Sequence, residues 1–440
     1  MKLKNFQSKH AIIKSWNNTI VSRAIIVFPK NITELKKLVQ NLKKMKKNYS
    51  IRTGLCSYDS KSLNPNFETI IISLRNINKI SKINLKEKYI DVETGALISD
   101  VIKKIKKKNI TLFSVPGGNK ISIGGAISAN TIGKDSSASI SSFGDALLSL
   151  DVLMNNGKIK KLKRNNSNFN KYVGAFGMQG IILRACLKVK KMKSQNLKIT
   201  SKILSNVDEI RKEFYNKSDY HYIQVDPFFR KDHFAISFRA NTTNYNKDIY
   251  KNINLNSYKI EQIIFRFFGF FINFFTWKIF YKLFFIFNRK KNKLVDIHNF
   301  HYESKYKHLI PLVCKDGLLD YEVLIKNNFN QSVTNLIKFL KKHKIYPLYI
   351  IIKKLYNSKR NYFYKFNEDG YAMAISINKS HIKKDVLKSF KNLLKKNKLK
   401  VNLSKTDEKF VKAKKNNNYL FLSLYKKMLL KRHGLSGKRT

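Results

Sequence analysis

Cysteine is scarce in this sequence of 440 residues, with only Cys56, Cys186 and Cys314 present. These residues form no CxxC pair, and no cluster of histidine and cysteine has the spacing of metal ligands. The N-terminal residues contain no apolar run of the kind that forms the core of a signal peptide. The sequence therefore predicts neither a disulfide framework nor a metal site, and we expect a protein of the reducing cytoplasm.

Acidic residues are also few, since 28 Asp and Glu stand against 88 Lys and Arg for a net charge of +60. Such an excess calls for an anionic partner to be considered, such as nucleic acid, a lipid headgroup or a phosphorylated substrate. Most of it is lysine, spread along the chain beside heavy use of Asn, Ile, Phe and Tyr. A compositional drift of the coding sequence is therefore our main interpretation. No helix-turn-helix, zinc finger or RNP motif is present, so we expect no nucleic-acid partner.

Glycine is concentrated in one stretch, because ten of the 17 glycines lie between residues 116 and 180. Glycine is needed where the backbone approaches a ligand closely or takes a positive φ. The pairs Gly117–Gly118 and Gly124–Gly125 could expose backbone N–H groups to a pyrophosphate. No GxGxxG follows a strand and no GxxxxGK[ST] occurs, which disfavours Rossmann and P-loop nucleotide sites.

The first half of the chain has a β-α-β order, which indicates an α+β or α/β nucleotide-binding domain. Asn31 and Glu34 have the spacing of a capping box before a helix whose apolar positions repeat on one face. The second half alternates strands with lysine-rich helices and predicts an antiparallel sheet covered by helices. Strands are predicted at 24–28, 69–74, 89–92, 320–325, 349–352 and 371–377, and helices at 33–44, 97–107, 333–340 and 383–395.

An aromatic segment at 263–288 differs from the rest of the chain. It is long enough to span a bilayer, but Arg266, Asn273, Lys278 and Lys282 interrupt it. Its aromatic bulk and the basic flank at 289–291 favour a segment that lies in the membrane interface. The alternative is that these aromatics cover the core of the second domain.

The glycine-rich stretch also has a specific arrangement. It runs PGG at 116–118, GGAI at 124–127, GK at 133–134, FGD at 143–145 and GAFGMQGIILRA at 174–185, and RTGLCSY at 52–58 precedes it. This arrangement resembles the FAD domain of the p-cresol methylhydroxylase (PCMH) and vanillyl alcohol oxidase flavoproteins over residues 12–192. The resemblance implies non-covalent FAD and an α+β fold, with a two-subdomain PCMH-type domain at 1–192. A substrate domain with an antiparallel sheet covered by helices would follow at 193–398, with a membrane-docking insertion at 258–293, and 399–440 would return to the FAD domain.

Later segments resemble the decaprenylphosphoryl-ribose oxidase branch of that family. They are YHYIQVDP at 220–227, NFHYE at 299–303, GLLDYEVLI at 317–325, KKLY at 353–356 and NLSKTD at 402–407. The resemblance implies an active-site lysine at Lys405 and substrate contacts at Lys134, Asp320, Glu322 and Lys354. The FAD-binding positions that it implies are Arg52, Gly54, Ser57, Tyr58, Pro116, Gly117, Gly118, Ser122, Gly124, Gly125, Ala129, Gly133, Gly180 and Ile182.

Several positions depart from the pattern of the branch. Ile132 replaces a histidine, Ala374 a cysteine and Asn402 a tyrosine, while Thr53 and Leu55 replace loop glycines. Cys56 lies where some relatives attach FAD through a histidine.

The resemblance implies oxidation of a secondary sugar hydroxyl to a ketone, with hydride transfer to flavin N5. The expected substrate is a polyprenyl-phosphate-linked pentose, and a short-chain NAD(P)H-dependent reductase would complete an epimerisation. We expect peripheral contact with the inner face of the plasma membrane. One alternative is an aldonolactone or alditol oxidase of the same superfamily, although the C-terminal His-Trp-x-Lys of those enzymes is missing. A second is a non-catalytic, basic, membrane-associated protein.

Overall fold

A computed structural model describes most of the chain. The described residues are 5–58, 62–63, 68–135, 137–230, 232–251, 274–302, 314 and 316–406.

The N-terminal part builds a four-stranded sheet in the order β1-β2-β4-β3. Its strands are β1 (Ser8–Lys14), β2 (Val21–Val27), β3 (Tyr49–Ile51) and β4 (Thr69–Ile72). Strands β2 and β3 run parallel to β4, and helix α1 (Ile32–Lys44) connects β2 to β3. The predicted cap is present, because the Asn31 side chain accepts a hydrogen bond from the Glu34 amide at 2.9 Å. The apolar face of α1 packs on the sheet.

A second sheet follows, with strands in the order β5-β9-β7-β8 and β6 paired to β9. Its strands are β5 (Tyr89–Glu93), β6 (Ile110–Leu112), β7 (Leu147–Leu153), β8 (Ile159–Lys163) and β9 (Ile181–Lys191). Helices α2 (Ile98–Ile105) and α3 (Ile123–Ala129) pack beside it. The part of the glycine-rich stretch that precedes Leu147 connects β6 to β7 and contains α3, so its loops lie next to this sheet.

The chain then enters an eight-stranded sheet in which every pair is antiparallel. The strand order is β13-β10-β12-β11-β15-β16-β14-β17. The strands are β10 (Asn196–Leu204), β11 (Tyr220–Val225), β12 (Ala235–Thr242), β13 (Asn292–Asp296), β14 (Leu318–Ile325), β15 (Tyr349–Leu355), β16 (Gly370–Asn378) and β17 (Lys400–Val401). Helices α4 (Val207–Glu213), α7 (Phe329–Lys342) and α8 (Lys384–Lys396) cover one face of this sheet.

The two halves of the molecule pack together through one continuous hydrophobic core. That core runs from Ile90 and Leu150 on the second sheet to Leu197 and Phe238 on the third. A buried ion pair adds to it, since Lys106 Nζ lies 2.7 Å from Asp296 Oδ2 and both side chains are almost completely buried. The predicted class, α+β with an antiparallel sheet covered by helices, is confirmed.

Two helices of the second half do not cover the sheet face that α4, α7 and α8 cover. Helix α5 (Phe274–Asn288) lies in the predicted aromatic insertion, and α6 (Ile297–Tyr302) follows β13. Tyr281 and Phe285 of α5 are buried in the core, whereas Phe275 is 67% exposed and Phe287 77% exposed. One face of α5 therefore covers the core, and the other presents aromatic side chains to solvent. Among the described residues, no helix is both long and apolar enough to cross a membrane.

Two of the predicted segments extend beyond the described residues. Positions 258–273 of the predicted docking insertion lie outside the described ranges, as do positions 407–440 of the predicted C-terminal segment. Within the described part of that segment, β17 pairs with β14 at the edge of the eight-stranded sheet. Residues 402–406 then continue along the cavity described next.

Candidate active site

A cavity of about 410 Å³ lies between the N-terminal half and the uncovered face of the eight-stranded sheet. This volume is within the range of roughly 300–1,000 Å³ that is usual for ligand pockets. All fourteen predicted FAD positions line it, from Arg52 in the first loop to Ile182 on β9. Lys405, Lys134 and Glu322 line it as well. The cavity therefore brings together segments that lie more than 300 positions apart in the chain.

Arg52 is the buried cation of the cavity wall, with only 3% of its surface exposed. One guanidinium nitrogen, Nη2, donates to the carbonyls of Lys14 and Leu55 at 2.8 and 3.1 Å. Its Nε and Nη1 atoms have no hydrogen-bond partner among the described residues. Burial lowers the pKa of Arg52 to about 10, so the group is still charged at neutral pH. A buried cation with two unpartnered N–H groups fits a cofactor that carries a diphosphate.

Gly54 allows two loops of the cavity wall to touch. A Cβ atom at this position would lie 1.5 Å from the carbonyl oxygen of Lys120. Only a residue without a side chain can occupy the position, so the 52–58 loop can pack directly on the glycine-rich stretch.

The paired glycines do not act as the predicted set of free amide donors. The amide of Gly118 donates to the Pro116 carbonyl, that of Gly124 to the Thr94 carbonyl, and that of Gly125 to the Ser122 hydroxyl. A Cβ on Gly124 would come within 3.1–3.3 Å of Thr94. We therefore correct this part of the prediction, because Gly118, Gly124 and Gly125 use their amides to fold the loop. Gly124 therefore packs closely on Thr94, the residue directly after β5.

Lys405 lies in the cavity wall between two carboxylates. Its Nζ is 3.4 Å from Asp320 Oδ2 and 3.6 Å from Glu322 Oε2. Burial acts to lower the pKa of Lys405, but the charges of Asp320 and Glu322 outweigh it and raise the pKa above the usual value. The predicted active-site lysine is therefore a permanent cation at neutral pH.

Glu322 is the central anion of this cluster. Burial acts to raise the pKa of Glu322, but Lys353 Nζ at 3.2 Å, Lys405 and the side-chain amide of Asn402 lower it to about 2. The carboxylate is thus ionised at neutral pH. Asn402, which replaces a tyrosine of the branch, serves here as a hydrogen-bond donor to Glu322.

Asp320 connects the two halves of the molecule. Its Oδ2 accepts a hydrogen bond from the Tyr58 hydroxyl at 3.1 Å, and its Oδ1 accepts one from Ser376 at 2.7 Å. Burial and the charge of Asp320 keep the pKa of Tyr58 well above its usual value, so the phenol holds its proton. Tyr58 was predicted as part of the FAD loop, and it also fixes Asp320 in place. Asp320 itself does not line the cavity, in contrast to the predicted substrate contact, because it is buried behind Tyr58, Ser376 and Lys405.

Lys354 does not line the cavity, in contrast to the predicted substrate contact. Neighbouring residues of a strand point to opposite faces of the sheet. On β15, Lys353 and Ile351 line the cavity. Lys354 lies over the rings of Tyr215 and Tyr356 instead. The lysine of β15 that lines the site is therefore Lys353, and not Lys354 as predicted.

Lys134 and His301 form a second polar corner of the cavity. The Lys134 Nζ lies 4.5 Å from the ring centre of Tyr222 and 4.8 Å from that of Phe300. His301, on α6, was not among the predicted site residues. It belongs to the segment NFHYE at 299–303, which resembles the branch as a whole, but no role was assigned to a single residue of that segment.

Cys56 lines the FAD side of the cavity and donates to the Gly54 carbonyl at 3.2 Å. Burial raises the pKa of its thiol to about 11. The thiolate is the nucleophilic form, so this cysteine is unreactive at neutral pH. The same loop contains Leu55, a glycine in the branch, with a left-handed φ of 58°.

Three comparisons with known proteins agree with this geometry. The FAD binding domain family matches residues 23–163. Decaprenylphosphoryl-beta-D-ribose oxidase from Mycolicibacterium smegmatis is 25% identical over 143 residues, which are 32% of this chain and 31% of that protein. The match thus spans about a third of the length of this curated relative.

Solved structures share the fold over most of the chain. Cholesterol oxidase from Brevibacterium sterolicum has a TM-score of 0.69 at 11% identity, over 91% of this chain and 87% of that chain. Alkyldihydroxyacetonephosphate synthase has a TM-score of 0.59 at 13% identity, over 86% and 73% of the two chains. At these identities the likeness shows the fold alone. Together with the family match, it confirms a PCMH-type FAD-binding domain with FAD as cofactor.

Proposed function

We propose that this chain, which carries a PCMH-type FAD-binding domain, is a flavin-dependent oxidoreductase that oxidises a secondary hydroxyl of a sugar to a ketone. The observation that carries the proposal is the position of Lys405, a cation fixed by two carboxylates in the same cavity as Arg52. Bound FAD supplies the acceptor for the hydride that leaves the carbinol carbon. The residues of the chain hold the sugar, exclude water and stabilise charge at the reacting oxygen.

Lys405 is the group that we assign to the reacting hydroxyl. As a permanent cation it stabilises the negative charge that develops on the oxygen as the hydroxyl proton passes to solvent, and this charge forms the ketone double bond as the hydride leaves the carbinol carbon. Asp320 and Glu322 hold the ammonium in place, and Glu322, which lines the cavity, can accept hydrogen bonds from further sugar hydroxyls. Because Glu322 stays ionised, it is an acceptor throughout the reaction.

The substrate that we propose is a polyprenyl-phosphate-linked pentose. Lys134 offers a cation for a phosphate at the corner of the cavity beside Tyr222 and Phe300. The name of the M. smegmatis relative, a decaprenylphosphoryl-ribose oxidase, supports the same substrate class. A short-chain NAD(P)H-dependent reductase would then act on the ketone to complete an epimerisation.

Helix α5 supports a lipid-linked substrate and peripheral contact with the inner face of the plasma membrane. Its exposed face carries Phe275 and Phe287, and Arg289 and Lys290 follow it. Exposed aromatic and basic side chains in this combination suit the headgroup region of an anionic bilayer. Gln224, which lines the cavity, donates to the hydroxyl of Tyr281 on the buried face of α5 at 3.0 Å. Only one side-chain contact thus separates the cavity wall from this helix.

The test is flavin bleaching under anaerobic conditions. The purified holoenzyme is mixed with a short-chain prenylphosphoryl ribose, and separately with free aldonolactones and alditols. We expect bleaching by the prenylphosphoryl ribose. Bleaching by the lactones or alditols alone would favour an aldonolactone or alditol oxidase. A protein that binds no FAD after reconstitution would favour a basic, membrane-associated protein without catalytic activity.

Lys405→Met tests the assigned role, with Lys354→Met as the matched control on the opposite face of the sheet. Loss of one preorganised charge at the reacting oxygen costs about 10²–10³ in rate. We expect that loss in the bleaching rate of Lys405→Met, with FAD content unchanged. Equal rates for the two variants would contradict the assignment.

A further inference from the structure

His301 is a buried histidine in the wall of the cavity. Only 3% of the residue is exposed, and its Nε2 atom has no hydrogen-bond partner among the described residues. Its ring packs against the rings of Tyr220 and Phe300, at centroid distances of 5.4 and 5.2 Å. A buried polar nitrogen without a partner costs stability, so a ligand atom that completes its hydrogen bond gains affinity.

The charge beside His301 indicates which kind of ligand atom would bind its Nε2. Burial, and next the charge of Lys134, lower the pKa of His301 well below its usual value. The imidazole is therefore neutral at neutral pH and keeps one N–H donor and one acceptor nitrogen. Lys134 and His301 both lie against the Phe300 ring, Lys134 through its Nζ at 4.8 Å. A cation next to a neutral ring donor is complementary to an oxyanion.

We propose that His301 Nε2 and Lys134 together bind the phosphate of the substrate, which makes His301 a specificity-determining residue for phosphorylated over free sugars. This inference rests on the proposed function for its substrate. In this arrangement Lys134 neutralises the phosphate, and the imidazole fixes its orientation. The sugar then extends toward Lys405, which lines the same cavity.

His298 is a matched control on the same helix. It is also buried and has an unpartnered nitrogen, Nδ1, but it packs between Tyr250 and Tyr302 and does not line the cavity. An unpaired ring nitrogen alone therefore does not distinguish His301. Its position in the cavity wall beside Lys134 does.

The first experiment measures binding without turnover. Holoenzyme labelled with ¹⁵N-histidine is titrated with inorganic phosphate, a short-chain prenylphosphoryl ribose and methyl riboside, and the imidazole ¹⁵N signals are followed. His301→Gln and His298→Gln assign the two signals among the nine histidines. We expect the His301 signal to move with phosphate and prenylphosphoryl ribose and the His298 signal to stay. A His301 signal that stays with both, or that moves with methyl riboside but not with phosphate, overturns the proposal.

The second experiment separates KM from kcat. We expect His301→Phe to lower kcat/KM for prenylphosphoryl ribose about 10- to 100-fold through KM, as loss of a hydrogen bond to a charged group predicts. His298→Phe should leave it within about twofold, and a parallel loss in both variants would indicate a structural role and overturn the proposal. If no pentose bleaches the flavin but phosphate still moves the His301 signal, the proposed function fails and the phosphate site remains.

Discussion

Replacing Gly54 by alanine tests how the FAD side of the cavity is built. The added Cβ would lie 1.5 Å from the Lys120 carbonyl oxygen and 2.7 Å from its carbon, whereas ordinary contact begins at 3.4 Å. The clashing atoms belong to the main chain, so no rotamer change relieves them. One of the two loops must move by about 2 Å to restore ordinary contact, because protein interiors are closely packed and offer no spare space.

The size of the effect follows from the cost of overpacking. Inserting one carbon into a packed contact costs about 1–3 kcal/mol, and each 1.4 kcal/mol is a tenfold change in an equilibrium constant. The 52–58 loop also holds Arg52 through the Leu55 carbonyl. We therefore expect Gly54→Ala to weaken FAD binding about 5- to 150-fold.

The assay is the dissociation constant for FAD, measured from the fluorescence of the flavin after titration into apoprotein. Gly157→Ala is the control outside the cavity, because its Cβ would also be crowded, at 2.7 Å from the Gln40 side chain. That variant should bind FAD within about threefold of the original protein, because the strain that it adds does not lie in the cavity wall. If Gly54→Ala binds FAD as tightly as Gly157→Ala, the two loops do not form the cofactor wall as described.

Three further changes test other parts of the structure. Because the folded pKa of Glu322 is lowered to about 2 from 4.5, its ionisation contributes about 3 kcal/mol to stability above pH 4.5, which is lost as the pH falls through 2. Urea unfolding should therefore show Glu322→Gln destabilised at pH 7, and the difference in free energy of unfolding between the original protein and this variant should narrow toward pH 3. A difference that stays constant with pH would contradict this. Lys106→Met should cost about 3–5 kcal/mol, because it leaves Asp296 charged and buried, and added Asp296→Asn should recover part of it in the same assay. Leu55→Gly should leave thermal stability unchanged or higher, because the left-handed backbone costs a non-glycine residue about 1–2 kcal/mol; a clear loss would show that the Leu55 side chain matters.

Local patterns predicted the elements well where one segment carries all the information. The cap formed by Asn31 and the apolar face of α1 depend only on neighbours within a few positions. Strands were likewise predicted at 349–352 and 371–377, and the structure has them at Tyr349–Leu355 and Gly370–Asn378. Strand β1 was not predicted, because its side chains are mostly exposed and its sequence has no buried run.

The site could be predicted only as far as motif positions extend. Lys405, Lys134 and the loop at 52–58 were predicted from their positions in family motifs, and all of them line the cavity. The choice between Lys353 and Lys354 depends on the pleat of β15 within the sheet, and two adjacent lysines give no local signal for it. His301 lies in the matched segment NFHYE, but its place in the cavity depends on contacts of α6 with Tyr220 on β11 and with Lys134 of the glycine-rich stretch, which the segment alone does not show.

The short strand β17 anchors the segment that carries Lys405. Lys400 and Val401 add to the sheet edge next to β14, and Lys405 lies in the cavity wall four residues after Val401. A two-residue strand at a sheet edge has few backbone hydrogen bonds to hold it, and such elements open locally at low cost. The firmness with which this ammonium stays between its two carboxylates is therefore set at the margin of the third sheet.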